Sequence, residues 1–170
     1  MVERKIQSMN TPHPLVTIAR AEIGVHETSR NQGPGIEKYW EATSYGTDGY
    51  KNREPWCAAF VAWCVFLYVE GSKYRPKSAA VRDWVPAALK LNWRVFGPRD
   101  GLLFPQAGDI VVFTFSHIAI VEDFSGTHIR TIEGNTDDEG SREGREVAER
   151  DRALTLCKSF IRPPKIGGVA

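Results

Sequence analysis

Between Trp56 and Val69 the chain carries no charged side chain, and apolar residues occupy every side of a helix drawn through the run. Spanning a bilayer takes about 20 such residues, so this shorter run predicts a buried central helix covered by other elements. Pro55, just ahead of it, suits a first helical turn. Leu15, Ile18, Ala19, Ala21 and Ile23 fall near helical spacing, with Gly24 as the stop. Ile36–Ala42 and Ala79–Leu91, the latter after a Tyr74–Lys77 turn, read as two further short helices. Polar Ser29–Gly35, with its Gly-Pro-Gly, reads as a loop, as does Phe96–Ala107. The Gly-, Tyr- and charge-rich stretch Ser44–Pro55 belongs at a surface.

From Gly108 the texture changes. Asp109–Phe115, Ile118–Glu122 and Ile129–Glu133 are rich in Ile, Val, Phe and Thr and predict strands. Asp137–Gly144 is a charged loop, and Val147 with its neighbours and Ser159–Ile161 supply two more short strands. Helices first and strands after imply an α+β fold with an antiparallel sheet. The 170 residues fit one domain over 13–165, with a leader at 1–12 and a tail at 166–170. No internal repeat is visible.

Composition narrows the chemistry. With 22 basic against 21 acidic side chains, nothing favours nucleic acid or an anionic membrane as the main partner. Met1–Thr11 has no apolar stretch of the kind a secretory signal needs. Three cysteines argue against a disulfide framework. Cys57 and Cys64, two helical turns apart, are separated by roughly 10 Å, too far to bridge. A bond from Cys157 to either stays open, reduced thiols being the simpler reading.

The helical register puts Cys57 in the first turn, where unpaired N–H groups and the positive end of the helix dipole lie. Both favour a thiolate, and the same N–H groups suit an oxyanion. Set against this is a plain core role, since free cysteine is among the most buried residue types; Cys64 reads that way. A base decides between them. His13, at the leader, and His26, after the first helix, read as surface residues. His117 and His128 flank a hairpin whose turn, if centred near Ser125, sets Val121 opposite Ile129, Ala119 opposite Thr131 and His117 opposite Glu133. Directly opposed residues share a face, about 5 Å apart at Cβ, and Asn135 follows on that face. Small Ala119 and Thr131 leave room there for a helix to approach. His117 then has an orienting acceptor, in the nucleophile–base–orienter logic. His128 falls opposite Glu122 at the turn end. The pairing depends on register, and an ordinary surface His–Glu pair is its alternative.

The residues Pro55-Trp56-Cys57-Ala58-Ala59-Phe60-Val61, Gly108-Asp109-Ile110-Val111-Val112-Phe113, His117-Ile118-Ala119-Ile120-Val121 and Ile132-Glu133-Gly134-Asn135-Thr136 resemble the CHAP domain family. These are cysteine, histidine-dependent amidohydrolase/peptidase modules of the NlpC-type, papain-like superfamily. Asn31-Gln32-Gly33-Pro34-Gly35 and Gly140-Ser141-Arg142-Glu143-Gly144 are similar to a subgroup in phage and bacterial cell-wall enzymes. The resemblance implies a papain-like fold and cleavage of amide bonds in peptidoglycan, within stem peptides or at the muramoyl–alanine link. It implies Cys57 as nucleophile, His117 as base and acid, Glu133 as the group orienting His117, and Asn135 as an assisting neighbour. Trp56, Tyr50 and Trp40 are candidate groove residues. Ser116 stands where many relatives have Gly. Asp48, Glu54, Asp137, Asp138 and Glu139 do not match a calcium-loop spacing, so neither metal nor other cofactor is expected. A monomer acting on the wall after lysis or non-Sec export is expected, with an immunity protein as partner if it is an effector. A non-catalytic wall-binding module, or a cysteine peptidase or acyltransferase with another substrate, are the rival functions.

Overall fold

Helix α4 (Cys57–Tyr68) is the apolar run of the sequence, and nine of its side chains are buried. A helix apolar all round is stable only when enclosed, each fully buried Val or Phe contributing roughly 1.5–3 kcal/mol. The computed structural model describes residues 12–137 and 144–166. The leader up to Thr11, the segment 138–143 with Asp138, Glu139 and most of the second glycine-flanked motif, and the tail from Gly167 lie outside the described residues.

Helices α1 (Pro14–Arg20), α2 (Glu37–Glu41) and α3 (Thr47–Lys51) precede α4, and a 3-10 turn at Val81–Asp83 leads into α5 (Trp84–Lys90). Strands β1 (Arg94–Phe96), β2 (Ile110–Phe113), β3 (Ile118–Phe124), β4 (His128–Thr136), β5 (Glu146–Ala153) and β6 (Cys157–Arg162) form one sheet in the order β1-β6-β2-β3-β4-β5. Every neighbouring pair is antiparallel. Helices packed on an antiparallel sheet make this the expected α+β architecture.

The sheet has two apolar faces. Ile110, Val112, Ile118, Ile120 and Ile132 pack in one core with α1, α2, α4 and α5. Val111, Phe113, Ala119, Val121, Ile129 and Phe160 form a second core on the other face. The sheet is curled around that second core: the Arg152 guanidinium of β5 lies 5.6 Å from the Phe113 ring of β2, three strands away. A segment after α1 extends the far edge. Val147 of β5 donates to Val25 and accepts from Gly24, and Glu27 donates to Arg145.

Several expectations are corrected. The helix expected to run to Gly24 ends at Arg20, because the chain turns away to pair with β5. The stretch 44–55 is at the surface as expected but also contains α3, a segment of weak helix formers pinned from outside: Gly49 is packed so tightly on the Trp40 ring that any side chain there would overlap it. Strand β1 lies where no element was expected, its last residue in the stretch read as the Phe96–Ala107 loop; its three residues pair with β6 and are too short to show a period of two. His13 is half-buried, its Nδ1 accepting the Leu15 N–H as the cap of α1.

The β3–β4 register also differs. Val121 faces Thr131 and Ile120 faces Ile132, two residues from the expected pairing, and a bulge falls at Glu122. A slip of two returns each side chain to its own face, whereas a slip of one would have inverted them. The bulge takes Glu122 away from His128 and toward Arg20 and Arg130. The helix, however, approaches the Ile118–Ile120–Ile132 face and not the Ala119–Thr131 face.

Candidate active site

Cys57 is the first residue of α4, 4% exposed, and no side chain caps that terminus. The helix start is fixed from behind. The Trp56 indole N–H donates to Glu27 Oε1 at 2.8 Å, and its ring stacks on Tyr39 at 5.7 Å. Tyr39 in turn donates to Glu22 at 2.7 Å. Two nearly buried carboxylates thus hold the aromatic layer under the cysteine.

His117 ends the tight connection from β2, closed by the Phe113 N–H donating to its carbonyl at 3.1 Å. The imidazole is fully buried and lies almost parallel to Phe115, at 5.9 Å and 11°. Nε2 donates to Glu133 Oε2 at 2.9 Å. The other nitrogen, Nδ1, is buried and faces the Cys57 thiol, whose approach falls short of strict hydrogen-bond geometry. Catalytic contacts often tighten when substrate binds. Burial works against the imidazolium. The Cys57 thiol and then the Glu133 carboxylate outweigh it and raise the His117 pKa to about 9.

Glu133 is fully buried, and both oxygens are occupied. Oε1 accepts from Thr131 Oγ1 at 2.6 Å and Arg152 Nε at 2.8 Å; Oε2 accepts from Arg152 Nη2 at 2.6 Å besides His117. Burial favours the neutral acid here, but the hydrogen bonds from Arg152 and His117 prevail and bring the carboxyl down to about 2. Neither Arg152 nor the role of Thr131 was legible in the sequence. Arg152 lies in β5 among Glu149, Arg150 and Asp151, an alternation that reads as a solvated face; its position opposite Ile129 is what turns it inward.

Asn135, two residues beyond Glu133, is buried in a bulge with φ of 59°, and its carbonyl accepts the Gly144 N–H at 3.0 Å. The bulge ends the regular alternation that placed it beside Glu133. Cys64 is buried with its thiol pushed well up by burial, and Cys157 is pushed up to about 12 by burial and by the Glu133 charge. All three cysteines are free.

A groove of about 420 Å³ opens over Cys57, with Trp40, Tyr45, Glu54, Arg82 and Ser116 in its lining. Trp40 borders the groove but is fully buried, its ring packed on Gly49. Trp56 does not line the groove: it is fully buried, spent on Glu27 and Tyr39. Tyr50 is half-buried against the helical core, its carbonyl accepting from Gln32. Tyr45, Ala79 and Ala80 of the groove come from turns and loops, Val81 and Arg82 from the 3-10 turn, and none carries a motif. Among the described residues no three His, Cys, Asp or Glu side chains gather as metal ligands, and no helix is long and apolar enough to cross a membrane.

A cysteine at the head of α4 and a histidine just ahead of β3, with helices packed against an antiparallel sheet, make this a papain-like α+β fold. The CHAP domain model matches residues 49–135, a span holding Cys57, His117, Glu133 and Asn135, and the chain belongs to this family. Among solved structures the chain is similar to Ly7917, at TM-score 0.54 and 14% identity, over 89% of this chain and 61% of that one. Ly7917 with the hydrolyzing product of MDP gives 0.53 and 14%, over 89% and 62%. The chain thus spans about three-fifths of the length of the structures it matches, and at that identity the likeness is one of fold. No curated protein matches the chain in sequence.

Proposed function

We propose that this protein is a cysteine-dependent peptidoglycan hydrolase that cleaves an amide bond of the cell-wall peptide. The observation that carries the reading is the polarity of His117: Nε2 is committed to Glu133, which leaves Nδ1 as the proton-exchanging nitrogen, and Nδ1 faces Cys57. Membership of the CHAP family and the likeness to Ly7917, which has been crystallised with the hydrolyzing product of the peptidoglycan fragment MDP, support the substrate class.

Cys57 Sγ, as thiolate beside the His117 imidazolium, attacks the scissile carbonyl carbon, and the carbonyl electron pair moves to oxygen. Uncapped N–H groups at the start of α4 receive that oxyanion. Collapse breaks the C–N bond as Nδ1 gives its proton to the departing amine, leaving a thioester. Water then attacks the thioester carbonyl and yields its proton to Nδ1. Expulsion of the thiolate releases the carboxylic acid. Glu133 fixes the ring and balances its charge, while Asn135 assists as a polar neighbour at the strand end. The groove over Cys57 admits the peptide, with the exposed Tyr45 and Arg82 in contact with it.

Incubation of purified sacculi with the protein and with Cys57→Ala, followed by mass spectrometry of the soluble fragments, tests this. New amine and carboxylate termini from the first and none from the second are expected. Equal release by both would end the proposal. Binding of sacculi without new termini would favour a wall-binding module, and cleavage of protein substrates alone would favour a peptidase of another kind.

A further inference from the structure

We infer that Arg152 is a positioning residue of the active site, which through a two-pronged contact locks Glu133 in the ionised, oriented state that His117 requires. The inference rests on the nucleophile–base reading of Cys57 and His117 given above, and goes beyond it by assigning a fourth member that never meets the substrate.

The geometry is specific. Arg152 Nε and Nη2 reach the two different oxygens of Glu133, at 2.8 and 2.6 Å, the parallel fork that guanidinium and carboxylate make with each other. The guanidinium lies beside a stacked aromatic pair, its carbon 5.6 Å from the Phe113 ring and 5.7 Å from Phe115, which are themselves 5.1 Å apart. The same pair also neighbours His117, at 5.8 and 5.9 Å. The imidazole and the guanidinium thus share one aromatic neighbour pair, and Glu133 is held between them by hydrogen bonds to both. Arg152 is 8% exposed, and the groove lies elsewhere.

The groups facing Glu133 come from several elements. They are His117 before β3, Thr131 on β4, Arg152 on β5 and the Cys157 thiol on β6, while Asp137 adds its charge beside Arg152. Of these, Arg152 is the fixed cation. The other positive group is the imidazolium, whose proton leaves during the reaction. A buried carboxylate with no permanent counter-charge takes up a proton far more readily. Once neutral, it no longer holds the charged ring. Arg152 thus keeps Glu133 ionised through the moment when His117 is neutral.

The test uses the full chain with Arg152→Gln, which removes the charge, and Arg152→Lys, which keeps the charge and removes the fork. Folding of each is checked by thermal melting. Two measurements follow across pH 4 to 9: the rate of Cys57 alkylation by iodoacetamide, which needs no wall substrate, and kcat and KM on solubilised peptidoglycan. In Arg152→Gln the acid limb of alkylation and of kcat moves up by one pH unit or more. At pH 5.5 kcat falls at least tenfold with KM within twofold, and much of the loss returns as pH rises. Arg152→Lys falls between this variant and the parent. Should Arg152→Gln fail to fold, an acid limb in Arg152→Lys raised by a few tenths of a unit carries the inference. An acid limb unmoved in every folded variant, or a loss confined to KM, overturns it. Absence of wall cleavage by the parent protein, with the alkylation limbs still shifting, rejects the substrate and leaves the role of Arg152 standing.

Discussion

Gly134 of β4 and Phe60 of α4 are in such close apposition that a methyl group on Gly134 would stand 2.7 Å from the Phe60 Cβ and 2.9 Å from the Trp56 ring. This contact sets how near the helix bearing Cys57 comes to the strand bearing Glu133. Gly134→Ala is expected to cost about 1–3 kcal/mol through overpacking, read as a lowered urea midpoint. The folded fraction should also alkylate more slowly at Cys57, because the helix start is moved from His117.

His117 titrates in the alkaline range. Its pKa is raised from the ordinary 6.5 to about 9, so the stability it contributes is fully present below about pH 6.5 and is lost as pH climbs through 9. Urea titrations at pH 6 and pH 10 should show the parent losing more stability than His117→Asn over that interval. Wall cleavage should decline over the same limb, as the proton owed to the leaving amine disappears. A parent and a variant with parallel pH curves would contradict the assignment.

Glu133 gives the opposite sign. Its pKa is lowered to about 2, so its contribution is present above the ordinary carboxyl value near 4.5 and is lost as pH falls from there toward 2. Glu133→Gln removes the carboxylate that Arg152 grips at both oxygens, a change of the kind that costs about 3–5 kcal/mol. Near-neutral unfolding experiments should show that loss. Acid titration by tryptophan fluorescence should show the variant with a shallower dependence between pH 5 and pH 2.

The groove and the aromatic layer beneath it are separable. Trp56→Phe removes the donor to Glu27 Oε1 and should lower stability by about 1–3 kcal/mol with KM unchanged. Arg82→Ala, at an exposed groove position, should do the reverse: a melting temperature within a degree or two of the parent and a raised KM on peptidoglycan fragments. Steady-state kinetics beside differential scanning calorimetry separates the two.

The sequence makes α4 and β2 to β4 legible because their signals are local: an unbroken apolar run, and strands of β-branched residues. The His117–Glu133 contact was reached through a register two residues out, and survives because side chains alternate with a period of two. The face was misjudged for the same reason, since periodicity states that 131, 133 and 135 go together without stating which face the helix covers. Arg152 is hidden because its neighbours alternate charge, and its burial follows from the curl of the sheet, which no local pattern encodes. The short α3 and β1 exist through contacts with Trp40 and β6, so propensity misses both. Trp56, next to the cysteine, suggests a groove wall by proximity, and its burial depends on a glutamate 29 residues away.

The second apolar face of the sheet, with Phe113, Phe115, Glu133 and Arg152, contributes no residue to the groove over Cys57. Ligand choice and proton affinity are thereby governed from opposite walls of one partition. Substitutions in the loops over the thiol therefore leave the groups that ionise the imidazole untouched. Changes in the rear wall alter the working pH and leave the preferred ligand as it was.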